Sequence, residues 1–153
     1  MIEICVDADK QAAIAQWVSD RLPFPVRFKD FQAIGLLRSN KMVAGLIYQN
    51  FVQDAITGEP IMVECAMAAD SARWISRDAI AIGLRYPFLV LGVRRLNCYT
   101  GRTNTRTRKM LVGLGFKLEG CLAAAMTGGD DAMIYGLMRA DAQKWLREDD
   151  GKR

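Results

Sequence analysis

The sequence predicts an α/β fold, a single domain with a mixed α+β sheet of six or seven mostly antiparallel strands and helices on both faces. Three observations lead to this prediction. Runs rich in β-branched and aromatic residues alternate with segments of helical periodicity, and turn-forming residues separate them. The 153 residues are 51% apolar, enough for one sizeable core without disulfide or metal staples. No composition shift or repeat marks a second domain, so residues 1–153 are expected to form one domain.

The first half of the chain is predicted to form a strand, a helix and an antiparallel meander of three strands. The helix should begin at a cap formed by Asp9 and stop before Pro23 and Pro25, because proline lacks an amide donor. Asn40 tolerates the left-handed backbone of a tight hairpin turn, which is expected between the second and third strands. The predicted helix is residues 10–21, and the predicted strands are residues 2–6, 31–37, 42–52 and 61–68.

The second half is predicted to continue as helix, strand, helix and two strands. An apolar stripe from Ile75 to Tyr86 is typical of an amphipathic helix, which Pro87 should end or kink. The next helix is expected to end at Gly115. The predicted helices are residues 71–86 and 103–114, and the predicted strands are residues 94–100, 116–126 and 133–139.

Histidine is absent from the chain, which excludes several kinds of chemistry. Ser-His-Asp and Cys-His catalysis and histidine-based metal hydrolysis all need an imidazole. Any catalysis must therefore use carboxylates, hydroxyls, thiols or backbone groups. The cysteines are far apart in sequence and form no CxxC pair, so we predict no metal site unless all four thiols converge, and otherwise expect buried, reduced thiols at Cys5, Cys65, Cys98 and Cys121.

The sequence predicts a cytoplasmic protein without a membrane partner. Its first residues carry an acid, Glu3, and no basic region, unlike a secretory signal. The most apolar stretch, residues 79–93, contains Arg85 and Pro87 and is shorter than the roughly 18–20 residues needed to span a bilayer.

Positive charge is concentrated in residues 94–117. This segment holds seven cationic side chains and no acid, although the formal net charge of the whole chain is only +4. Such a cluster favours a local anionic partner, either a phosphate-bearing cofactor or a nucleic-acid backbone. A solvated helix face of lysine and arginine is the alternative. The cations are Arg94, Arg95, Arg102, Arg106, Arg108, Lys109 and Lys117.

One constellation of residues indicates a family. Asn104 and Thr107 precede Leu114-Gly115-Phe116 and Glu119-Gly120, and Asp131 and Tyr135 follow on the closing strand. This pattern resembles the signature of the GNAT superfamily of acyl-CoA-dependent N-acetyltransferases, particularly the branch that acetylates ribosomal-protein N-termini. The predicted order of strands and helices agrees with that family's fold.

The resemblance implies a binding mode for acetyl-CoA as cosubstrate. The fourth and fifth strands of the family splay apart, so backbone groups of Ala66, Met67 and Ala68 would pair with the pantetheine arm. The next helix would present its amides to the pyrophosphate through a Gly-rich turn. This sequence departs from the family there, since Ala72 and Trp74 stand in place of both glycines and side chains must then supply the donors. The residues assigned to this turn are Arg73, Trp74, Ile75, Ser76 and Arg77.

The helix after the fifth strand carries the remaining candidates for cofactor binding. In the family, Asn104 would reach the pantetheine arm, and the Thr107 hydroxyl would lie near the cofactor sulfur or phosphates, which makes Thr107 a candidate for catalysis as well. Arg108 could reach the cofactor phosphates or face solvent. Thr107 could instead bond its own helix backbone. The tyrosine that many of these enzymes use as general acid corresponds to Leu111 here.

The resemblance implies direct attack of an amine on the thioester, with a fourth-strand amide stabilising the oxyanion. Glu64 on that strand is our first candidate for the general base and Asp131 the second. Glu64 could also be an ordinary solvent-facing strand residue.

The resemblance leaves the acceptor open, as a small molecule or a protein amine. A different class of function is a GNAT-fold protein that does not acetylate and instead binds or modifies nucleic acid through residues 94–117. A homodimer is a further possibility.

Overall fold

A single seven-stranded sheet organises the computed structural model, which describes residues 1–22, 26–71 and 76–147. The order across the sheet is β1-β2-β3-β4-β5-β7-β6, and every neighbouring pair is antiparallel except β4 and β5. This confirms the predicted mixed, mostly antiparallel sheet. The strands are β1 (Glu3–Cys5), β2 (Gln32–Arg38), β3 (Lys41–Gln53), β4 (Pro60–Ala69), β5 (Arg95–Gly101), β6 (Lys117–Leu122) and β7 (Ala132–Met138).

The helices differ from the predictions mainly at their ends. They are α1 (Gln11–Arg21), α2 (Arg77–Arg85), α3 (Thr105–Leu114) and α4 (Gln143–Leu146). The predicted cap at Asp9 is wrong, because Asp9 lies inside a short 3-10 turn, Ala8–Lys10, and α1 continues from that turn. Pro87 lies at the start of a widened π turn, Tyr86–Val90, that follows α2. None of the helices in the described part of the chain is long and apolar enough to cross a membrane.

Two turns and one strand end show how local sequence sets the elements. Ser39 and Asn40, between β2 and β3, have φ of 50° and 61°, the left-handed backbone expected of a tight hairpin. Gly115 ends α3 with φ of 109°, as predicted. The strand predicted for residues 116–126 is shorter, because Ala124 has φ of 53° and turns the chain after Leu122.

Helices cover both faces of the sheet, as predicted. Helix α1 packs Ile14 and Val18 against β2 and β3, where glycines permit a close approach. A Cβ on Gly45 would lie 2.4 Å from Val18 Cγ2. On the opposite face, α2, α3 and α4 contribute to the larger core cluster around Tyr48 and Phe88.

The sheet opens between β4 and β5. These strands pair in parallel only at Met62 with Arg95, Val63 with Leu96 and Glu64 with Asn97. Beyond that point β4 keeps pairing with β3 as far as Ala69, while β5 keeps pairing with β7 as far as Gly101. The two strands therefore diverge after Glu64, at the place where the resemblance implies a splay.

Candidate active site

An apolar cavity of about 50 Å³ lies where β4 and β5 diverge. Met67 lines it from β4, Cys98 from β5, Ile80 from α2 and Met110 from α3. Helix α2 follows β4 in the sequence and helix α3 follows β5, and these two helices flank the cavity. The gap between the strands and the space between the helices are therefore continuous. We call this feature the slot.

Residues 66–68 lie along the β4 side of the slot. Ala66 and Ala68 pack toward the α1 face, whereas Met67 points to the opposite face and lines the cavity. Their register partners on β3 are Ile47, Leu46 and Gly45, and no pairing of these three residues with β5 is recorded. Among the described residues, β4 therefore has no neighbouring strand on this side at these positions, although the Ala66 carbonyl accepts a weak hydrogen bond from Cys65 Sγ, and such an edge can pair with an extended ligand.

Helix α3 begins beside the slot with a side-chain cap. Asn104 Oδ1 accepts a hydrogen bond from the Thr107 amide at 3.3 Å, so this carbonyl oxygen stabilises the first turn of the helix. Thr107 has the helical spacing of Met110, Leu111 and Leu114, all of which line the cavity. Asn104 and Thr107 thus lie in the first turn of the helix whose later residues line the cavity, and their role in binding stays a prediction.

Arg108 lies on a different face of α3. Its Nε donates to the Tyr135 hydroxyl at 3.0 Å and its Nη1 to the Arg102 carbonyl at 3.0 Å. It borders a second, more open groove of about 360 Å³ together with Lys109. The sequence prediction grouped Arg108 with Thr107, but one residue along a helix turns a side chain by about 100°. The contacts of Arg108 brace α3 against β7.

A serine side chain caps the start of helix α2. Ser76 Oγ accepts a hydrogen bond from the Ala79 amide at 3.1 Å, so Ser76 acts as the N-cap. The exposed Arg77 guanidinium lies 5.8 Å from the centre of the Trp145 ring. The other residues predicted for the phosphate turn lie outside the described residues, so their role stays a prediction. They are Arg73, Trp74 and Ile75, together with the neighbouring Ala72.

Glu64 lies at the point of divergence, on the face of β4 opposite Cys65 and Met67. It is half-buried and its Oε2 accepts a hydrogen bond from Asn50 Nδ2 at 2.7 Å. Burial, followed by a hydrogen bond to Glu64, raises the pKa of Tyr99. The slot thus has an apolar side between α2 and α3 and a polar side at Glu64.

Asp131, the second candidate base, has both carboxylate oxygens in hydrogen bonds within the protein. Its Oδ1 accepts from the Ala124 amide at 2.9 Å and its Oδ2 from Arg102 Nη1 at 3.1 Å. These bonds lower the pKa of Asp131, the backbone bond from Ala124 most strongly. A carboxylate with a lowered pKa is a weak base, so Asp131 serves to hold the loop between β6 and β7.

Most of the cationic segment is neutralised by acids from elsewhere in the chain. Ion pairs join Arg94 to Glu59, Arg95 to Glu119, Arg102 to Asp131 and Lys117 to Asp141. Four of the seven cations are therefore paired within the chain, because folding brings distant acids to the segment, and this leaves less free positive charge for the anionic partner that the sequence favoured. Within residues 1–22, 26–71 and 76–147, no ion pair is recorded for the three cations of α3, Arg106, Arg108 and Lys109.

The polar neighbourhood of Glu64 was missed by the sequence reasoning. Asn50 reaches Glu64 from an irregular part of β3, where its own φ is 53° and the register with β4 shifts. Arg95 and Glu119 form an ion pair across the missing side chain of Gly136. The signal for part of this cluster was the alternation of Arg95, Asn97 and Tyr99, which places three polar side chains on one face of β5.

The cysteines are all free, and one of them corrects the prediction of burial. Cys5, Cys65 and Cys98 are partly buried, but Cys121 is exposed. It lies on β6, the last strand at one edge of the sheet, where only β7 is a neighbour.

Comparison with known proteins gives a consistent structural result. No protein-family model and no curated protein matches the sequence. Among solved structures, the ribosomal-protein-S18-alanine N-acetyltransferase from Escherichia coli has a TM-score of 0.70 at 18% identity, over 100% of this chain and 99% of the other. The spermidine/spermine N-acetyltransferase SpeG from Vibrio cholerae, in mutant forms, has a TM-score of 0.72 at 10% identity, over 96% and 100%.

A third similar structure contains a coenzyme A derivative. RimJ from Mycobacterium smegmatis, solved with CoA-disulfide, has a TM-score of 0.62 at 20% identity over 76% of this chain. The chain spans 58% of that protein's length. The shared strand order, the single parallel pair and the divergence of β4 from β5 lead to one conclusion: this chain has the fold of the GNAT acetyltransferases.

Proposed function

We propose that the protein is an N-acetyltransferase that uses acetyl-CoA to acetylate an amine. The observation that carries the proposal is the divergence of β4 and β5 after Glu64, with an apolar cavity on one face and a half-buried carboxylate on the other. Such a passage lets a thioester donor enter from one face of the sheet and an amine acceptor from the other.

The residues along the slot fit a pantetheine arm. The arm is an uncharged chain of amides and methylenes, so it suits both the unpaired edge of β4 at residues 66–68 and the apolar cavity beside Met67 and Met110. Thr107 would lie on the α3 side of this arm. The phosphates would then extend toward the start of α2, where Ser76 and Arg77 are candidates to bind them. Acetyl-CoA supplies the acetyl group as a thioester.

We assign Glu64 as the general base that accepts the proton of the amine. An attacking amine must be neutral and must lose a proton as the amide forms, and a nearby carboxylate can accept that proton directly or through a water molecule. Asn50 Nδ2 fixes the position of the carboxylate by a hydrogen bond of 2.7 Å. Asp131 lacks this freedom, because both of its carboxylate oxygens hold the loop between β6 and β7.

The acceptor is proposed only as an amine, on a small molecule or on a protein. It would approach the face of the sheet that α1 leaves uncovered, near Tyr99 and Met138, whose side chains are 44% and 46% exposed. We also propose the cytoplasm as the compartment, since four free cysteines suit a reducing environment.

Thermal unfolding with saturating acetyl-CoA tests the proposal. A ligand at 100 times its dissociation constant stabilises the folded state by about 2.7 kcal/mol, so a clear rise in Tm is expected. Filling the slot with Met110→Trp should abolish the rise. The matched control is Val112→Trp on the same helix, where the native side chain is 59% exposed, and this variant should keep it.

Turnover completes the test. Release of free thiol from acetyl-CoA in the presence of an amine panel should follow the Tm result. Absence of a shift in the wild-type protein would contradict the proposal. Salt-dependent binding of a nucleic-acid oligomer in that case would favour the alternative function through residues 94–117.

A further inference from the structure

Two cysteines face each other across the slot. The last recorded pair between the parallel strands is Glu64 with Asn97, and the next residue on each strand is a cysteine, Cys65 on β4 and Cys98 on β5. Both line the apolar cavity. A disulfide requires Cα atoms about 4.4–6.8 Å apart, and residues one position beyond the last pair of two adjacent strands can reach that separation.

The electrostatic interactions of the two thiols agree with this register. A hydrogen bond with Cys98, together with burial, raises the pKa of Cys65 well above its ordinary value. Cys65 Sγ also donates to the Ala66 carbonyl oxygen at 3.7 Å. A raised pKa also means that the thiol stays protonated near neutral pH, so it reacts slowly there and faster in alkaline solution.

We propose that Cys65 and Cys98 are a reversible oxidation site, at which peroxide forms a disulfide that joins β4 to β5 and closes the slot. The closing of the slot rests on the proposed function, since it matters only if pantetheine enters between these strands. The disulfide itself does not depend on that function.

The chemistry balances with hydrogen peroxide as the oxidant. One thiolate attacks the peroxide, an S–O bond forms, the O–O bond breaks, and the departing hydroxide takes up a proton to leave as water. The second thiol then attacks the sulfenic sulfur, an S–S bond forms, the S–O bond breaks, and a second water leaves. Two thiols are oxidised and one peroxide is reduced to two waters.

The size of the cavity favours a small oxidant. About 50 Å³ exceeds the roughly 10–15 Å³ that a water-sized molecule needs, so peroxide can enter. Because the second thiol is close to the first, we expect an intramolecular disulfide at these two positions.

The experiment uses the full chain with Cys5→Ser and Cys121→Ser, which leaves only the two slot thiols. The protein is treated with hydrogen peroxide at neutral and alkaline pH and then unfolded. Titration of thiols, intact mass and peptide mapping identify the product, and dithiothreitol tests reversal. The wild-type chain is mapped in parallel, so the result does not depend on the folding of any variant. The comparison variants are Cys65→Ser and Cys98→Ser.

The expected result is loss of both thiols, a mass lower by two hydrogen atoms, a linked Cys65–Cys98 peptide and full reversal by dithiothreitol, with faster reaction at alkaline pH. Sulfinic or sulfonic acid at either position, or thiols that remain free, would overturn the proposal. Each single variant should lack the linked peptide.

Binding of acetyl-CoA before and after oxidation separates this proposal from the proposed function. Loss of the acetyl-CoA Tm shift on oxidation, with recovery after reduction, supports both. A disulfide that forms without changing the shift overturns the closing of the slot. A disulfide in a protein that shows no shift in either state supports the oxidation site and contradicts the acetyltransferase.

Discussion

Glu64 Oε2 accepts a hydrogen bond from Asn50 Nδ2 at 2.7 Å, and this bond gives its carboxylate a defined position beside the slot. Glu64→Gln keeps the size of the side chain but removes its ability to accept a proton. We expect kcat to fall by roughly 10²–10⁴, the usual contribution of a general base. The KM for acetyl-CoA should change little, because Glu64 lies on the face of β4 opposite the cavity.

Steady-state kinetics on a reactive amine would measure this effect. Glu59→Gln is the matched control, since Glu59 forms an exposed ion pair with Arg94 outside the slot. Equal losses of kcat in both variants would show that Glu64 has no special role.

We expect Asp131 to make the stability of the fold depend on pH, and not to take part in catalysis. Its folded-state pKa is lowered, chiefly by the Ala124 amide, so its carboxylate stabilises the fold above the ordinary pKa of about 3.9. This stabilisation is lost as the pH falls through the folded-state value. Asp131→Asn should therefore lower Tm at neutral pH and differ little from the wild-type protein in strong acid.

Thermal melts across the acid range would measure that difference. Asp9→Asn is a suitable control, because Asp9 is exposed and lies in a separate 3-10 turn. A constant difference in Tm at every pH would contradict the assignment.

Helix α3 contains two glycines with opposite requirements. Gly113 lies inside the helix with nothing within 4 Å of an added Cβ, so Gly113→Ala should stabilise by about 0.5–1 kcal/mol. Gly115 ends the helix at φ of 109°, and an added Cβ would lie 3.4 Å from the Asp141 carbonyl oxygen. Gly115→Ala should destabilise by about 1–2 kcal/mol, the cost of a strained left-handed residue.

Urea unfolding of the pair measures both effects on one helix, and each variant is the control for the other. Changes of the same sign would mean that the backbone at Gly115 relaxes without strain.

The short helix α4 links the two helices that flank the slot. Trp145 Nε1 donates to the Leu114 carbonyl at the end of α3 at 3.3 Å. Arg85 of α2 donates to the carbonyls of Trp145 and Arg147 at 3.2 Å and 2.8 Å. Residues 143–147 therefore connect α2 to α3 and help to set the width of the space between them.

Two substitutions separate the contributions of Trp145. Trp145→Phe keeps an aromatic ring and should cost about 1 kcal/mol for the lost hydrogen bond. Trp145→Ala should cost about 3 kcal/mol and should also weaken acetyl-CoA binding, because the helices lose their link. Chemical unfolding and ligand titration measure these effects, with Trp17→Phe on α1 as the control. Unchanged binding in Trp145→Ala would show that α4 does not influence the slot.

At the scale of the whole molecule, the fold followed from local patterns while the site depended on long-range pairing. Alternation and turn residues such as Asn40 and Gly115 were sufficient for the strands and the hairpin, because those signals act over a few residues. The partner of Arg95 is Glu119, and the partner of Glu64 is Asn50. Neither pairing can be read from spacing, since each depends on which strands become neighbours and on a shift of register.

The neutralised cations show the same limit of local reasoning. Residues 94–117 contain no acid, yet Glu59, Asp131 and Asp141 reach them in the folded chain. The resemblance to a family singled out Asn104 and Thr107 because it carries information about neighbours in three dimensions, and their role stays a prediction. It also grouped Arg108 with them, and the contacts of that side chain lie elsewhere.

Because the junction between β4 and β5 is narrow, the chain is a candidate for expression as two separate segments that reassemble. Only three residue pairs join β1 through β4 to β5, β7 and β6 across the sheet. The rest of the contact between the two parts is apolar packing in the larger core and a few polar links, such as Arg85 with the Trp145 carbonyl and Arg94 with Glu59. A cut after Leu91, in front of the exposed Gly92 with φ of 73°, would separate residues 1–91 from residues 92–153 at this junction. We expect the co-expressed halves to reassemble into one folded complex, detectable by co-purification and restored melting. A cut within the β2–β3 hairpin would sever strands that pair along seven positions and should not be tolerated.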